Sequence, residues 1–458
     1  MNKQKYNSLS FDHSDIQEIL KIIVGKNKGL FILKKNNINK NNNVKWNFAM
    51  GLIHGILFLG GEAFHNPDTV LPIFLDHFTK SKMLIGLSSA LIGKLGGIAS
   101  VFPQLLVANK MENKIHKKPL LKFAITVRAL SWGLLAFTTY IFNNTYPNLT
   151  IFFLFVTLIL HTFMGGIAAV PFFDIWGKSL PSNLRGRFFG YRQLWGGILA
   201  IGSGLIVKNI LGNNVMKFPY NFALLFFLAF IFFSISYIAL GSVKEPTEKV
   251  YKEQLPFKDF LAKAFLIIKK NSNYKKFIMI EILVGAGGMA LPFYVLYLKD
   301  VLNINLGTVG ILLSAQMLGS VLSNILWARL SDFVGNKKVI QVSTFAGLMV
   351  PIVALMTQFK NELLYLLLFA IIGFFIAGRT IGKTNYLLDI APSKDRPIYV
   401  SLTGTLLFPV SLFPLIGGFI TQFISYNMLF VITGIPIMLG FILSFNLKEP
   451  RSIKINKS

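Results

Sequence analysis

Glu62, Lys94, Arg128 and His161 stand inside long apolar stretches of a 458-residue chain that is 53% hydrophobic and 14% charged. An ionisable side chain near the centre of a bilayer costs about 2.5–3.5 kcal/mol on insertion scales, so such groups face a protein interior or a polar pathway. Two chemistries fit this set. Glu62 paired with Lys94 or Arg128 makes a structural salt bridge that holds helices together. Glu62 with His161 makes a site that takes up and releases a proton or binds a solute. His65 lies one turn beyond Glu62 and Asp68 two turns beyond, a spacing that suits an outward proton relay. The plainer alternative is that His65 and Asp68 satisfy backbone groups freed by Pro67 and Pro72. The second half of the chain offers mainly Glu281. Trp195, Gln193, Gln316, Asn324 and Tyr294 are candidate polar or aromatic cavity residues.

A second set lies near the ends of the apolar stretches. Asp174 is close in sequence to Arg185, Arg187 and Arg192, which predicts an ion-pair gate. Asp389, Arg379 and Arg396 are its counterpart in the second half.

These residues need elements to hold them. From Trp46 onward about twelve apolar stretches are long enough to cross ~30 Å of hydrocarbon. They span 46–78, 84–108, 120–142, 150–176, 188–208, 219–241, 273–300, 306–329, 339–358, 362–382, 399–424 and 427–446. Pro67 and Pro72 predict a kink or local unwinding in the first. Lys+Arg number 46 against 19 Asp+Glu, a net charge of +27. About 37 of the basic residues fall in the tails and alternate loops, and about 6 on the other side (Lys80, Lys82, Lys208, Lys217, Lys299 and Lys360). This positive-inside asymmetry puts both termini in the cytoplasm and removes the need for a nucleic-acid partner. The mean hydropathy of +0.58 excludes a disordered chain and an ordinary soluble enzyme. With no cysteine, disulfides and thiolate chemistry are excluded. No phosphate-binding loop, H-E-x-x-H or G-x-S-x-G motif is present.

The expected organisation is a cytoplasmic tail at 1–45, a six-helix bundle at 46–241, a linker at 242–272, a second six-helix bundle at 273–446 and a tail at 447–458. The first tail is polar and does not read as a secretory signal. Within it Ile16, Ile19, Leu20 and Ile23 have the spacing of an amphipathic helix, as do Phe257, Phe260, Leu261, Ala264, Phe265 and Ile268 in the linker.

The halves repeat. Leu71-Pro72 and Leu291-Pro292 are 220 residues apart, and at that offset Ala108 matches Ala328, Glu112 matches Asp332, and Lys117-Lys118 match Lys337-Lys338. Pro181, Ser182 and Arg185 match Pro392, Ser393 and Arg396 at an offset of 211. Parallel repeats of this kind occur in transporters.

On these features nearly the whole chain resembles the major facilitator superfamily, and its run HNPDTVLPIFL (65–75) is similar to one in uncharacterised bacterial members. The family's loop signature is roughly G-x-L-A-D-R-x-G-R-K. In ARLSDFVGNKK (328–338) Leu330, Asp332, Gly335 and Lys337 fit, while Ala328, Phe333 and Asn336 depart. In ANKMENKIHKK (108–118) Glu112 stands for the acid and the glycine is missing. The resemblance implies that these acids and bases form a cytoplasmic charge network favouring one conformation. The family's fourth-helix pattern is roughly R-x-x-Q-G-x-G-A-A. HTFMGGIAA (161–169) keeps Gly165, Ala168 and Ala169 and puts His161 in the arginine's place. WGGILAIGSG (195–204) lacks the Gly-Pro-x-x-Gly-Gly run of drug:proton antiporters. In the family, helices 1 and 4 line the cavity and helix 3 is peripheral, which implies a site role for Glu62 and His161 and a structural one for Arg128.

The expectation is thus an all-α integral membrane protein with about twelve transmembrane helices in two pseudo-symmetric bundles. It is a secondary transporter of the cytoplasmic membrane, moving a small solute by alternating access with proton coupling. The substrate/proton pathway candidates are Glu62, His65, Asp68, Lys94, Arg128, His161, Trp195, Glu281 and Gln316. The cytoplasmic gate candidates are Glu112, Asp174, Arg185, Asp332, Gly335, Lys337, Asp389 and Arg396. No cofactor, metal or enzymatic activity is expected, and the partners are solute, protons and lipid, with the chain a monomer. The alternatives are a membrane-embedded transferase and a receptor-like derivative that does not transport.

Overall fold

The computed structural model describes residues 38–92, 99–100, 103, 107, 116–142, 145–212, 216–247, 266–392 and 395–450. The amphipathic segments expected in the tail and in most of the linker lie outside the described residues, as do Lys94 and Glu112. No strand occurs among the described residues.

The helices are α1 (Ile38–Ala63), α2 (Val70–Phe78), α3 (Lys82–Ile92), α4 (Lys118–Phe142), α5 (Pro147–Ser179), α6 (Ser182–Gly212) and α7 (Tyr220–Ser242) in the first half. In the second they are α8 (Ser272–Gly285), α9 (Gly287–Asp300), α10 (Leu306–Phe333), α11 (Asn336–Met356), α12 (Glu362–Ile390), α13 (Arg396–Leu406), α14 (Phe413–Phe423) and α15 (Tyr426–Ser444). Ten stretches are long and apolar enough to cross a membrane, running from Lys118–Phe142 to Tyr426–Ser444, with α8–α9 and most of α13–α14 each counted as one crossing. These match the expected spans three to twelve. The first expected span is the pair α1–α2, and the second begins with the eleven residues of α3.

Proline and its neighbours account for the division of the first span. Between α1 and α2 the carbonyl of Asn66 accepts the N–H groups of Thr69, Val70 and Leu71 at 3.4, 3.0 and 3.1 Å. The Asn66 side chain accepts the Asp68 N–H at 2.9 Å, and Ser89 of α3 donates to the Pro67 carbonyl at 3.1 Å. Lipid offers no hydrogen bonds, so freed backbone groups must be satisfied inside the protein. Asn66 and Ser89 do this. Pro72 lies in the first turn of α2, where no intrahelical donor is needed.

Within the first half α1 packs on α6 and α7, and α4 on α5 and α7; within the second, α11 packs on α12 and α15, and α8 on α15. Two seams join the halves, α6 on α10 and α3 on α14. In the first seam a Cβ on Gly310 would run into the backbone of Lys208 and Gly204. Small residues let membrane helices approach closely enough for dispersion to hold them.

Candidate functional site

Arg128, Arg192 and Glu62 of the first half lie on or against α1. Arg128, ten residues into α4, directs Nη2 at His161 Nε2 of α5 at 2.8 Å, and Trp132 Nε1 donates to His161 Nδ1 at 2.9 Å. Two N–H donors therefore converge on one imidazole. A neutral imidazole accepts at one nitrogen only and carries its hydrogen on the other, so His161 accepts from one of these two donors, and a protonated ring would accept from neither. His65 is fully buried and stacks on Trp132 with ring centroids 3.9 Å apart; its Nε2 lies 3.8 Å from Glu62 Oε1. Glu62 is partly exposed at 29% of its side chain.

Arg128 is not the partner of Glu62. Among the described residues no carboxylate lies within 4.0 Å of the Arg128 guanidinium. Instead its Cζ sits 5.7 Å from the ring centres of both Phe58 and Tyr237, a cation–π arrangement. Arg192 of α6, which the sequence assigns only to a gate, belongs to this cluster. It approaches His54 Nε2 with Nη2 at 3.4 Å and lies 5.2 Å from the Phe172 ring. His54 is pinned by Ser236 at 2.7 Å. His54 and Arg192 are the residues here that sequence reasoning passed over or misassigned. The signal was available, because both are polar groups within expected spans.

Beyond the break in the first span, Gln316 of α10 donates to Asp68 at 3.1 Å across the two halves. In the second half Glu281 and Arg379 are both buried and paired at 3.3 Å, with Arg379 also donating to the Glu281 carbonyl at 2.9 Å. Arg379 is therefore not the partner of Asp389. Trp195 is half-buried on α6, and its indole N–H has no hydrogen-bond partner.

The expected gate residues form different contacts from those the sequence predicts. Asp174 pairs with Lys117 at 3.0 Å and Lys178 at 2.6 Å rather than with the arginines. Arg185 donates to the carbonyls of Leu180 and Gly177. Asp332 and Arg396 are exposed and form no ion pair among the described residues. Asp389 accepts from Asn336 at 2.7 Å, and Asn336 in turn accepts from Ser331 at 2.7 Å. Gly335 has φ of 113° and a Cβ there would strike the Glu449 carboxylate, which accepts the Lys337 N–H at 3.0 Å. Only glycine combines that conformation with that contact.

Glu449 has a twin. Glu245 accepts the N–H groups of Lys117 and Lys118 at 2.9 and 3.0 Å, at the start of α4, as Glu449 does at the start of α11. Asn47 Oδ1 accepts the Lys244 N–H at 2.8 Å, and Asn273 Oδ1 accepts the Lys448 N–H at 3.0 Å. Lys244-Glu245-Pro246 and Lys448-Glu449-Pro450 thus act alike in the two halves.

At the other end of the molecule is a network that the sequence analysis did not identify. Asp76, 1% exposed, contacts Lys82 at 2.8 Å and Lys299 at 2.5 Å. Lys82 also contacts Asp300 at 2.7 Å, and Tyr426 donates to Asp300 at 2.7 Å. Ser81 and the Met83 N–H reach Gln422 nearby. The hydrogen bonds and ion pairs seen between described side chains of 38–247 and 266–450 lie in this network, in the contact of Ser314 with Ile201, and in that of Gln316 with Asp68. The two halves are thus clamped at the end away from the basic loops. Among the described residues no group of three or more His, Cys, Asp or Glu is arranged to hold a metal ion.

A bundle of membrane-length helices in two halves, clamped at one end with charged groups midway, defines a multi-pass membrane protein. Residues 277–458 match the family model of the Major Facilitator Superfamily. Multidrug resistance protein MdtG of Dickeya zeae (strain Ech586) is 26% identical over 168 residues, 35% of this chain; the match spans 40% of that relative's length. A point mutant of the nucleoside transporter NupG superposes with a TM-score of 0.67 at 15% identity, over 88% of this chain and 100% of that one. A bacterial homologue of the iron transporter ferroportin in an inward-facing state gives 0.62 at 12% identity, over 87% and 98%. Residues 277–458 thus match that family's sequence model, and the described helices share the fold of these two transporters.

Proposed function

We propose that the chain is a secondary transporter of a small solute, working by alternating access between its two halves and coupled to protons. The observation that carries this reading is the position of the cross-half contacts. They close one end, while Glu62, Arg128, His161 and Arg192 lie between that end and the basic one. A carrier closed on one side of a central polar cluster has this arrangement. With the basic loops on the cytoplasmic side of the cell membrane, the clamped end is external and the conformation is open inward. The bundles then run over 46–241 and 273–446, and the chain works as a monomer.

Glu62 with His65 is the proposed proton site. A proton moves the carrier only by favouring one conformation over the other. Neutralising Glu62 removes negative charge beside His65, and so changes the balance of the half that must rock. The Lys82 cluster is the proposed outer gate. The test is reconstitution into liposomes under an imposed pH gradient, with uptake of candidate solutes followed by current on a supported membrane. Gradient-driven currents abolished by Glu62→Gln support the reading. Solute currents indifferent to the pH gradient and to this substitution refute the coupling.

A further inference from the structure

The geometry points to an anion as the transported solute, bound by Arg128 and Arg192 beside Tyr237, with Lys383 at similar depth in the second half. This inference rests on the transporter reading and supplies its substrate class. Arg128 and Arg192 flank the same ring set: His54 lies 5.7, 6.0 and 5.9 Å from Phe58, Tyr237 and Phe172, the three rings against which the two guanidiniums lie. Neither guanidinium, nor the Lys383 ammonium, has a carboxylate within 4.0 Å among the described residues.

Counting the residues at this level sharpens the point. Arg128, Arg192, Arg379 and Lys383 stand about 10–17 Å from the basic ends of their helices, at 1.5 Å per residue. Glu281 is at that depth and is spent on Arg379. Glu62 faces His65, and Asp68, beyond the helix break, faces Gln316. Among the described residues four cations therefore stand at this level with two carboxylates, Glu62 and Glu281. Arg128, Arg192 and Lys383 are half-buried; a cation partly withdrawn from water is costly without a countercharge, and a hydrogen-bonded anion supplies one.

A second observation points to a ligand at the same place. Among the described residues the Tyr237 hydroxyl, in a residue 5% exposed, has no hydrogen-bond partner, and Arg128 Nε is also buried without one. These donors and the Arg192 fork are what a carboxylate or phosphate group accepts from.

The test uses the full chain purified in detergent, with citrate and inorganic phosphate as anionic probes. Tetraphenylphosphonium and glucose serve as cationic and neutral probes, against chloride matched for ionic strength. Thermal unfolding and titration calorimetry are read for the parent chain, Arg192→Gln, Lys383→Gln, the charge-keeping Arg192→Lys, and Lys122→Gln at an exposed site. The expected result is saturable stabilisation by at least one anion. Affinity should fall at least about tenfold in Arg192→Gln and Lys383→Gln, less in Arg192→Lys, and not in Lys122→Gln. If Arg192→Gln does not fold, Lys383→Gln and Arg192→Lys carry the comparison. Stabilisation by the cationic or neutral probe alone, no stabilisation by either anion, or full anion affinity in Lys383→Gln and the Arg192 variants overturns the proposal. Saturable, arginine-dependent anion binding without flux in liposomes would retire the transport reading and leave the site. Anion flux that survives Arg192→Gln and Lys383→Gln would retire the site and leave the transport reading.

Discussion

Lys82 lies 2.7 Å from Asp300, so an ammonium from the first half of the chain holds a carboxylate of the second while also touching Asp76 of its own half at 2.8 Å. Lys299 returns the contact from the second half to Asp76 at 2.5 Å. Two cations and two anions thus alternate across the boundary, and the most buried of them, Asp76, is contacted from both sides.

Lys82→Met should open this end. It leaves Asp300 with Tyr426 and leaves Asp76 with Lys299 alone, and removing one partner of a buried pair typically costs about 3–5 kcal/mol. The chain contains no cysteine, so a single cysteine at Ser81 reports on this end without background. Its labelling by a membrane-impermeant maleimide should accelerate at least about tenfold in Lys82→Met, if even about 1.4 kcal/mol of the closing energy is lost. An unchanged rate would show that the seams alone hold the end shut.

Glu245→Gln and Glu449→Gln should destabilise the fold by similar amounts. Glu245 accepts two backbone N–H groups at the start of α4, and Glu449 accepts that of Lys337 at the start of α11. A hydrogen bond to a charged group contributes about 1.5–3 kcal/mol, with a further 0.3–1 kcal/mol from the helix dipole as a rough guide. Thermal unfolding of the two variants should show comparable losses. A loss in only one would mean the two halves do not share this clasp.

His161 should be replaceable by an acceptor and not by a hydrocarbon. His161→Gln keeps an acceptor oxygen for the donor that His161 now satisfies, whereas His161→Leu leaves that donor without one. The leucine variant should lose about 1–3 kcal/mol relative to the glutamine one, read by thermal unfolding. Equal stability would show that His161 is not the acceptor organising this cluster.

Anion affinity should rise as pH falls through the range where Glu62 takes up a proton, and Glu62→Gln should bind tightly at all pH values. The sign follows from charge: a neutral Glu62 no longer competes with an anion for the field of Arg128 and Arg192. The other groups that face this region are His54, His65, His161 and Tyr237. Calorimetry with citrate at several pH values checks this, corrected for citrate's own ionisation. A pH dependence retained in Glu62→Gln would move the coupling to one of the histidines.

The architecture was legible because each stretch of about twenty apolar residues is a nearly complete statement about a membrane helix. Pro67 likewise announced the break between α1 and α2. Pairing was less legible, since sequence distance does not say which face a side chain takes. Asp174 is close in sequence to Arg185 and Arg192, yet it meets Lys117 from another helix. Glu62 and Arg128 share a region without pairing. Asp76 and Lys82 escaped notice because each looked like an ordinary charge at a span's end. Their meaning comes only from Lys299 and Asp300, which are more than two hundred residues away. The Lys-Glu-Pro repeat at 244–246 and 448–450 was visible in the sequence and identifies the carboxylate clasps directly.

Alternating closure of the two ends is most directly measured by spin-label distances. Labels at Lys80→Cys and Ile424→Cys report the clamped end, and labels at Arg187→Cys and Leu388→Cys report the basic end. The account predicts two populations at each end. Adding Lys82→Met should lengthen the first pair and shorten the second. A single unchanging distance at each end, or both pairs lengthening together, would contradict it.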